Sequence, residues 1–146
     1  MLCLCSIVSF IDRQIINLLV EDLRRDLRLS DSSIGLLQGL SFALFYAACA
    51  VPLGRVADTA NRRRLIAAGM CVWTAATALC GLAGSFLQLF CARVLVGVGE
   101  ATLTPSTFSM LADLFRPQRL ALPCGIYTGS SFVGSGIALL LGGAIL

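Results

Sequence analysis

Long apolar runs and short charged ones alternate along this chain. The apolar runs cover approximately 1–20, 34–53, 65–84, 88–112 and 121–146. Each is near the ~20 residues that carry a helix across ~30 Å of hydrocarbon. The pattern predicts an all-α membrane protein with five transmembrane helices. The first run is interrupted by Asp12, Arg13, Gln14 and Asn17 and has no basic leader, so it reads as a span and not as a signal peptide. Within it Ser6, Ser9, Arg13 and Asn17 recur on one helical face, which predicts a face turned into a bundle or a watered cavity.

The polar breaks set the connections. In 21–33 four acids oppose three arginines, a net 3 − 4 = −1; Leu23 and Leu27 suggest a short amphipathic turn there, and Ser30, Asp31 and Ser32 are N-cap candidates for the next helix. Gly35 and Gly39 form a small-xxx-small pair that predicts close helix approach, and Pro52 is expected to mark the exit of that span. The loop 54–64 carries Arg55, Arg62, Arg63 and Arg64 against Asp58, net 4 − 1 = +3. Gly81, Gly84 and Ser85 predict a tight uncharged turn, and 113–119 carries 2 − 1 = +1. The arginine bias of the short loops places 54–64 and the amino terminus in the cytoplasm, in a bacterium at the plasma membrane.

Composition agrees with the pattern. Of 146 residues 58% are hydrophobic and only 13% charged, where a soluble domain has about 25% charged. The basic residues are all arginine and sit in short loops, which is not the continuous basic face of a nucleic-acid binder. No histidine is present, so the commonest metal ligand and general base are missing, and nothing in the sequence calls for an enzyme, a metal or a cofactor. The seven cysteines fall in or at the edges of apolar runs and read as small packing residues.

Asp12, Arg13, Arg93 and Glu100 lie inside predicted spans. A charge at a helix centre costs ~2.5–3.5 kcal/mol on insertion scales, so four left unpaired would cost on the order of 10 kcal/mol. Arg93, Gly97, Glu100 and Thr104 share one face, and the Arg93–Glu100 separation of about 10 Å along the axis is long for a direct pair. Asp12 and Arg13 are the available partners. Two readings fit: a polar site near the midplane, with carboxylates that exchange a proton and arginines that hold an anion, or an ion-pair cluster that locks helices one and four. The charged island at 54–64 likewise reads as simple positive-inside bias or, given Asp58 after a Gly54-xx-Ala57 step, as a more specific contact with a neighbouring helix or a loop arginine.

The stretch PLGRVADTANRRRL (52–65) resembles the signature between the second and third spans of the major facilitator superfamily, with Gly54, Ala57, Asp58, Arg62 and Arg63 at matching positions and Arg64 beside them. The glycines of the last run, Gly134, Gly136, Gly142 and Gly143, resemble the antiporter-type fifth-helix motif, without its usual proline. FIDRQIINLL, SDSSIGLLQGLSFALFY and RVLVGVGEATLTPSTFSMLADLF together resemble the spinster-like branch, whose animal members export sphingolipid or lysophospholipid.

The resemblance implies a twelve-span bundle, of which this chain would supply five spans from the amino-terminal half, with the carboxyl-terminal half needed to complete a site. It implies alternating access, in which the family's two halves rock about a midplane site, coupled to protons, with Asp12, Arg13, Arg93 and Glu100 on the substrate and proton pathway. Asp58 and Arg62–Arg64 would latch the cytoplasmic side. Expected partners are membrane lipid, a small lipid-like or organic-anion substrate and protons. A sugar-acid carrier of a neighbouring branch and a non-transporting membrane subunit are the alternatives.

Overall fold

The computed structural model describes residues 1–18, 24 and 29–145, and among them every regular element is helical. These are α1 (Leu2–Leu18), α2 (Asp31–Gly35), a π-helical turn (Leu36–Leu40), α3 (Ser41–Thr59), α4 (Arg62–Gly81), α5 (Phe86–Glu100), α6 (Leu103–Leu114), a 3-10 turn (Pro117–Arg119) and α7 (Ala121–Ile145). Among the described residues four stretches are long and apolar enough to cross a bilayer: Asp31–Thr59, Arg62–Gly81, Phe86–Leu114 and Pro117–Gly143. Helix α1 has 17 residues, about 25 Å of rise, which is the short limit for a span. The amphipathic turn expected at Leu23 and Leu27 lies outside the described residues.

Capping follows the polar breaks. Ser30 caps α2, its hydroxyl accepting from the Ser33 amide at 3.3 Å. Asn61 caps α4 through the Arg64 amide at 3.2 Å, and Ser85 caps α5 through the Gln88 amide at 3.4 Å. The Gln88 side chain returns to accept from the Gly84 amide at 2.9 Å, so two otherwise orphaned amides are met at one helix start.

Two expectations about helix extent are corrected. Pro52 does not end its helix, since α3 runs through it to Thr59. A proline removes one donor, here the one that would reach the Ala48 carbonyl, and membrane helices tolerate that loss where neighbours compensate. The island 54–64 is accordingly helical except at Ala60 and Asn61. The stretch Asp31–Thr59 has 29 residues, about 44 Å of rise, which exceeds the hydrocarbon thickness and lets its charged end stand in water. The run 88–112 falls within the candidate span Phe86–Leu114, whose helix is interrupted where α5 ends at Glu100 and α6 starts at Leu103. Pro105 has no amide hydrogen for the Ala101 carbonyl, and this weakens the helix at that place.

The chain divides into two compact units, Met1–Val20 with Met110–Leu146, and Glu21–Ser109. In the first, α1 lies along α7. A Cβ at Gly134 would stand 2.6 Å from the Ile7 carbonyl oxygen and 3.0 Å from Phe10 Cβ, so this glycine admits the α1 backbone. Ser6 and Ser131 share a hydrogen bond at 3.1 Å. The polar face expected on α1 is therefore partly a helix–helix contact: Ser6 and Ser9 are buried, whereas Asn17 is exposed and donates to Gln14 at 3.0 Å.

In the second unit α5 is central, packed by α4 and by α3. Trp73, Ala76 and Val96 form its core, with Phe42, Met70 and Cys80 packed around them. At the π turn the Ser41 amide reaches the Leu36 carbonyl, one residue beyond its α-helical acceptor. The Ser41 hydroxyl donates instead to the Leu37 carbonyl at 2.7 Å, the group its own amide would have met in an α-helix. The close approach expected at Gly35 and Gly39 is not found, as a Cβ on either would meet nothing within 4 Å. None of the seven cysteines is buried, and Cys71 and Cys91 are exposed. Most therefore edge the bundle and do not fill it, although Cys80 packs on the core.

Candidate functional site

Two charged side chains are held inside the second unit. Arg93 is 3% exposed and Glu100 1% exposed, both on α5, where the sequence spacing puts them on one face. Burial this deep of a guanidinium and a carboxylate needs compensation, because a charge removed from water loses its hydration. Part of it for Arg93 is the Phe42 ring of α3, whose centroid lies 5.5 Å from the guanidinium carbon. Phe42 in turn stacks on Tyr46, with centroids 5.5 Å apart and ring planes 23° from parallel.

Glycines set how closely the other helices approach these charges. A Cβ on Gly97 would stand 3.2 Å from the Phe42 carbonyl oxygen and 3.6 Å from the Tyr46 amide nitrogen, so α3 lies directly on α5 one turn after Arg93. A Cβ on Gly99 would stand 2.7 Å from the Trp73 amide nitrogen and 2.8 Å from the Gly69 carbonyl oxygen. Gly69 is its counterpart, with no room for a Cβ between the Gly99 carbonyl and Thr102. Glu100 thus follows a backbone-to-backbone crossing of α4 and α5 and is the last residue before the helix break. Thr102 closes that break, donating to the Gly99 carbonyl from its hydroxyl at 2.9 Å and its amide at 3.3 Å. Past the break, Tyr46 donates from its hydroxyl to Thr104 Oγ1 at 3.2 Å.

Sequence reasoning singled out Arg93 and Glu100 from the cost of their charge but missed Phe42, Tyr46, Gly69 and Gly99. The signals were available: glycines within apolar runs, and two aromatics one turn apart on α3. Asp12 and Arg13 lie on α1 in the other unit, both half-buried, with the Arg13 guanidinium carbon 4.8 Å from the Phe10 ring centroid.

The charged island is built separately. Asp58 accepts from the Ser109 hydroxyl at 3.2 Å, which ties the end of α3 to α6. Arg62 donates from Nε to the Ala57 carbonyl at 2.9 Å and so meets one of the acceptors left open at the α3 terminus. The sequence reading expects Asp58 to cap a neighbouring helix or pair with a loop arginine; the contact it makes is to the Ser109 side chain within α6, not to a helix terminus. Ala57 is fully buried, whereas a Cβ on Gly54 would make only an ordinary contact with Pro105 at 3.7 Å. Arg63 and Arg64 are exposed. Of the last-helix glycines, Gly134 meets α1, Gly142 is buried, and Gly136 and Gly143 have nothing within 4 Å of a notional Cβ. No group of three or more metal-ligating side chains occurs among the described residues.

A profile of the Major Facilitator Superfamily matches residues 2–146. The chain belongs to this superfamily. It is 35% identical over 145 residues to an efflux pump of the superfamily from Mycolicibacterium smegmatis, covering 99% of this chain and 34% of that protein. It is 26% identical over 139 residues to a sphingosine-1-phosphate transporter from Danio rerio, covering 94% of this chain and 27% of that protein. Among solved structures, a bacterial homologue of the human lysosomal transporter spinster, in an inward-facing and occupied conformation, superposes with a TM-score of 0.91 at 40% identity. That match covers 98% of this chain and 31% of the other. The spinster-like resemblance read from the first, second and fourth spans therefore holds, as does the superfamily fold. The chain spans about a third of the length of the relatives it matches. It is an integral, multi-pass membrane protein.

Proposed function

We propose that this chain forms five spans of the amino-terminal half of a proton-coupled secondary transporter that works by alternating access on a lipid-like or organic-anion substrate. The observation that carries the reading is the burial of Arg93 and Glu100 on one face of α5. Intramembrane charges are costly and are retained where a solute or proton uses them. Arg93 offers a planar set of donors suited to a carboxylate or phosphate. Glu100 and Asp12 are the carboxylates that take up and release the proton, and Arg13 shares the pathway from α1. The cytoplasmic latch is Asp58 with Arg62, Arg63 and Arg64, supported by the Ser109 and Ala57 contacts described above. The glycines of α7 serve the packing along which that helix moves. The amino terminus is cytoplasmic, on the evidence of the arginine bias of the loops.

The test is uptake into vesicles by a form of the protein that carries the remaining helices of the facilitator fold. Glu100→Gln or Asp12→Asn abolishes transport driven by a pH gradient, and Arg93→Gln weakens substrate binding. Proton dependence unchanged in both carboxylate variants overturns the proposal. Competition by a lysophospholipid identifies the lipid-like substrate class, and competition by a sugar acid in its place identifies the organic-anion class.

A further inference from the structure

We infer that Tyr46 is a positioning residue for Arg93, acting through the ring of Phe42. The inference rests on the reading of Arg93 as the anion-contacting group. Four observations meet at this place. The Arg93 guanidinium carbon is 5.5 Å from the Phe42 centroid, and Phe42 is stacked on Tyr46. The Tyr46 hydroxyl is fastened to Thr104 Oγ1 at 3.2 Å, across 58 residues of sequence. The backbone between the two rings is held against Gly97 on the same helix as Arg93.

The two aromatics are one turn apart on α3, so their rings stack along the helix face, and neither slides without the other. Fixing the Tyr46 hydroxyl on α6 therefore fixes the tilt of the Phe42 ring. A guanidinium placed over a ring is attracted to its negative face. Its donors point outward in its own plane, so a ring held at one tilt turns those donors toward one direction. Tyr46 thereby sets where Arg93 presents its N–H edge without touching the solute. The same bond joins α3 to the segment just beyond the break at Ala101 and Thr102, so the aim of Arg93 depends on how α6 sits after Glu100.

The experiment follows the side-chain Nε–H resonance of Arg93 in the 146-residue chain in lipid nanodiscs, assigned by its loss in Arg93→Lys. Phe42 gives that resonance a ring-current shift. Tyr46→Phe keeps the stack and removes only the hydroxyl, and the expected result is loss of part of the shift, with helix content unchanged. Thr104→Val produces the same loss, and the double variant loses no more than either single one. Phe42→Leu removes the shift. An Arg93 resonance that stays in place in both Tyr46→Phe and Thr104→Val overturns the inference. Titration with an alkyl phosphate keeps the two ideas apart. If it leaves the Arg93 resonance of the unaltered chain unmoved while Tyr46→Phe still shifts it, the anion-contact reading fails and the positioning by Tyr46 stands.

Discussion

The two closest helix contacts, α4 on α5 and α1 on α7, use small residues in different ways. At the α4–α5 crossing both helices contribute a glycine, and Gly69 and Gly99 bring backbone atoms of one helix against those of the other. At the α1–α7 contact one glycine, Gly134, faces the Ile7 backbone, and the Ser6–Ser131 hydrogen bond supplements it. In lipid, apolar side chains gain little by leaving the solvent for one another, so close packing and interhelical hydrogen bonds carry association. The first contact brings backbone against backbone and stands immediately before the buried Glu100. The second divides the work and carries no buried charge at the contact itself. Backbone of both helices is thus pressed together beside the buried Glu100, and one glycine with a serine pair serves on α1, where Asp12 is only half-buried.

Enlarging Gly99 breaks that comparison most sharply. In Gly99→Ala the new methyl meets Trp73 nitrogen and Gly69 oxygen, neither of which is a side chain able to swing away. The expected loss is about 3 kcal/mol, at the upper end of overpacking costs, read as a shift in denaturant unfolding of the chain in mixed micelles. Gly134→Ala comes next. Its methyl meets one backbone oxygen closely, with the other neighbours at 3.0 Å, and the expected loss is about 1–2 kcal/mol. Equal losses in the two variants would show that the contacts are equivalent.

What was legible in the sequence, and what was not, follows the same division. Span positions came from the apolar runs, and the buried charges on α5 came from the energy of placing Arg93 and Glu100 in lipid, because both effects belong to single residues and their solvent. Ser30 was visible as a helix start, and Ser85 as part of a turn, for the same local reason. Helix extent was misread at Pro52, and the break after Glu100 was not foreseen, since the outcome at a proline turns on which neighbour meets a carbonyl that lost its donor. The glycines divide likewise. Gly35 with Gly39 had the familiar four-residue spacing and nothing lies within 4 Å of a Cβ there, whereas Gly69, with no glycine four residues away, sits at the tight crossing with Gly99. Spacing on one helix does not say which face its partner takes. Phe42 and Tyr46 were missed because an aromatic pair in an apolar run carries no charge to betray a role.

Removing the hydrogen bond of the second contact has a smaller effect. Ser6→Ala takes away the partner of Ser131 at a buried position. Interhelical hydrogen bonds in membranes average about 0.6 kcal/mol, since a released hydroxyl finds another acceptor. A loss of that size, and no loss on adding Ser131→Ala, is expected in the same unfolding assay. A loss as large as that of Gly134→Ala would mean that the serine pair, and not the glycine, holds α1 on α7.

The smallest change is expected at Gly136, two residues beyond Gly134 on the same helix. No atom lies within 4 Å of a Cβ built there, so Gly136→Ala creates no overlap. It does replace the residue with the greatest backbone freedom by a good helix former, which favours the helix by about 0.5 kcal/mol. The sign should therefore reverse between two glycines of one helix: a loss at Gly134 and a slight gain at Gly136. A loss at Gly136 would mean that another surface covers that side of α7 in the membrane, and a cysteine placed there would then be shielded from a lipid-soluble maleimide. Labelling at Gly136→Cys together with a gain in Gly136→Ala would establish that face as lipid-exposed and confine the packing role in the helix to its Gly134 side.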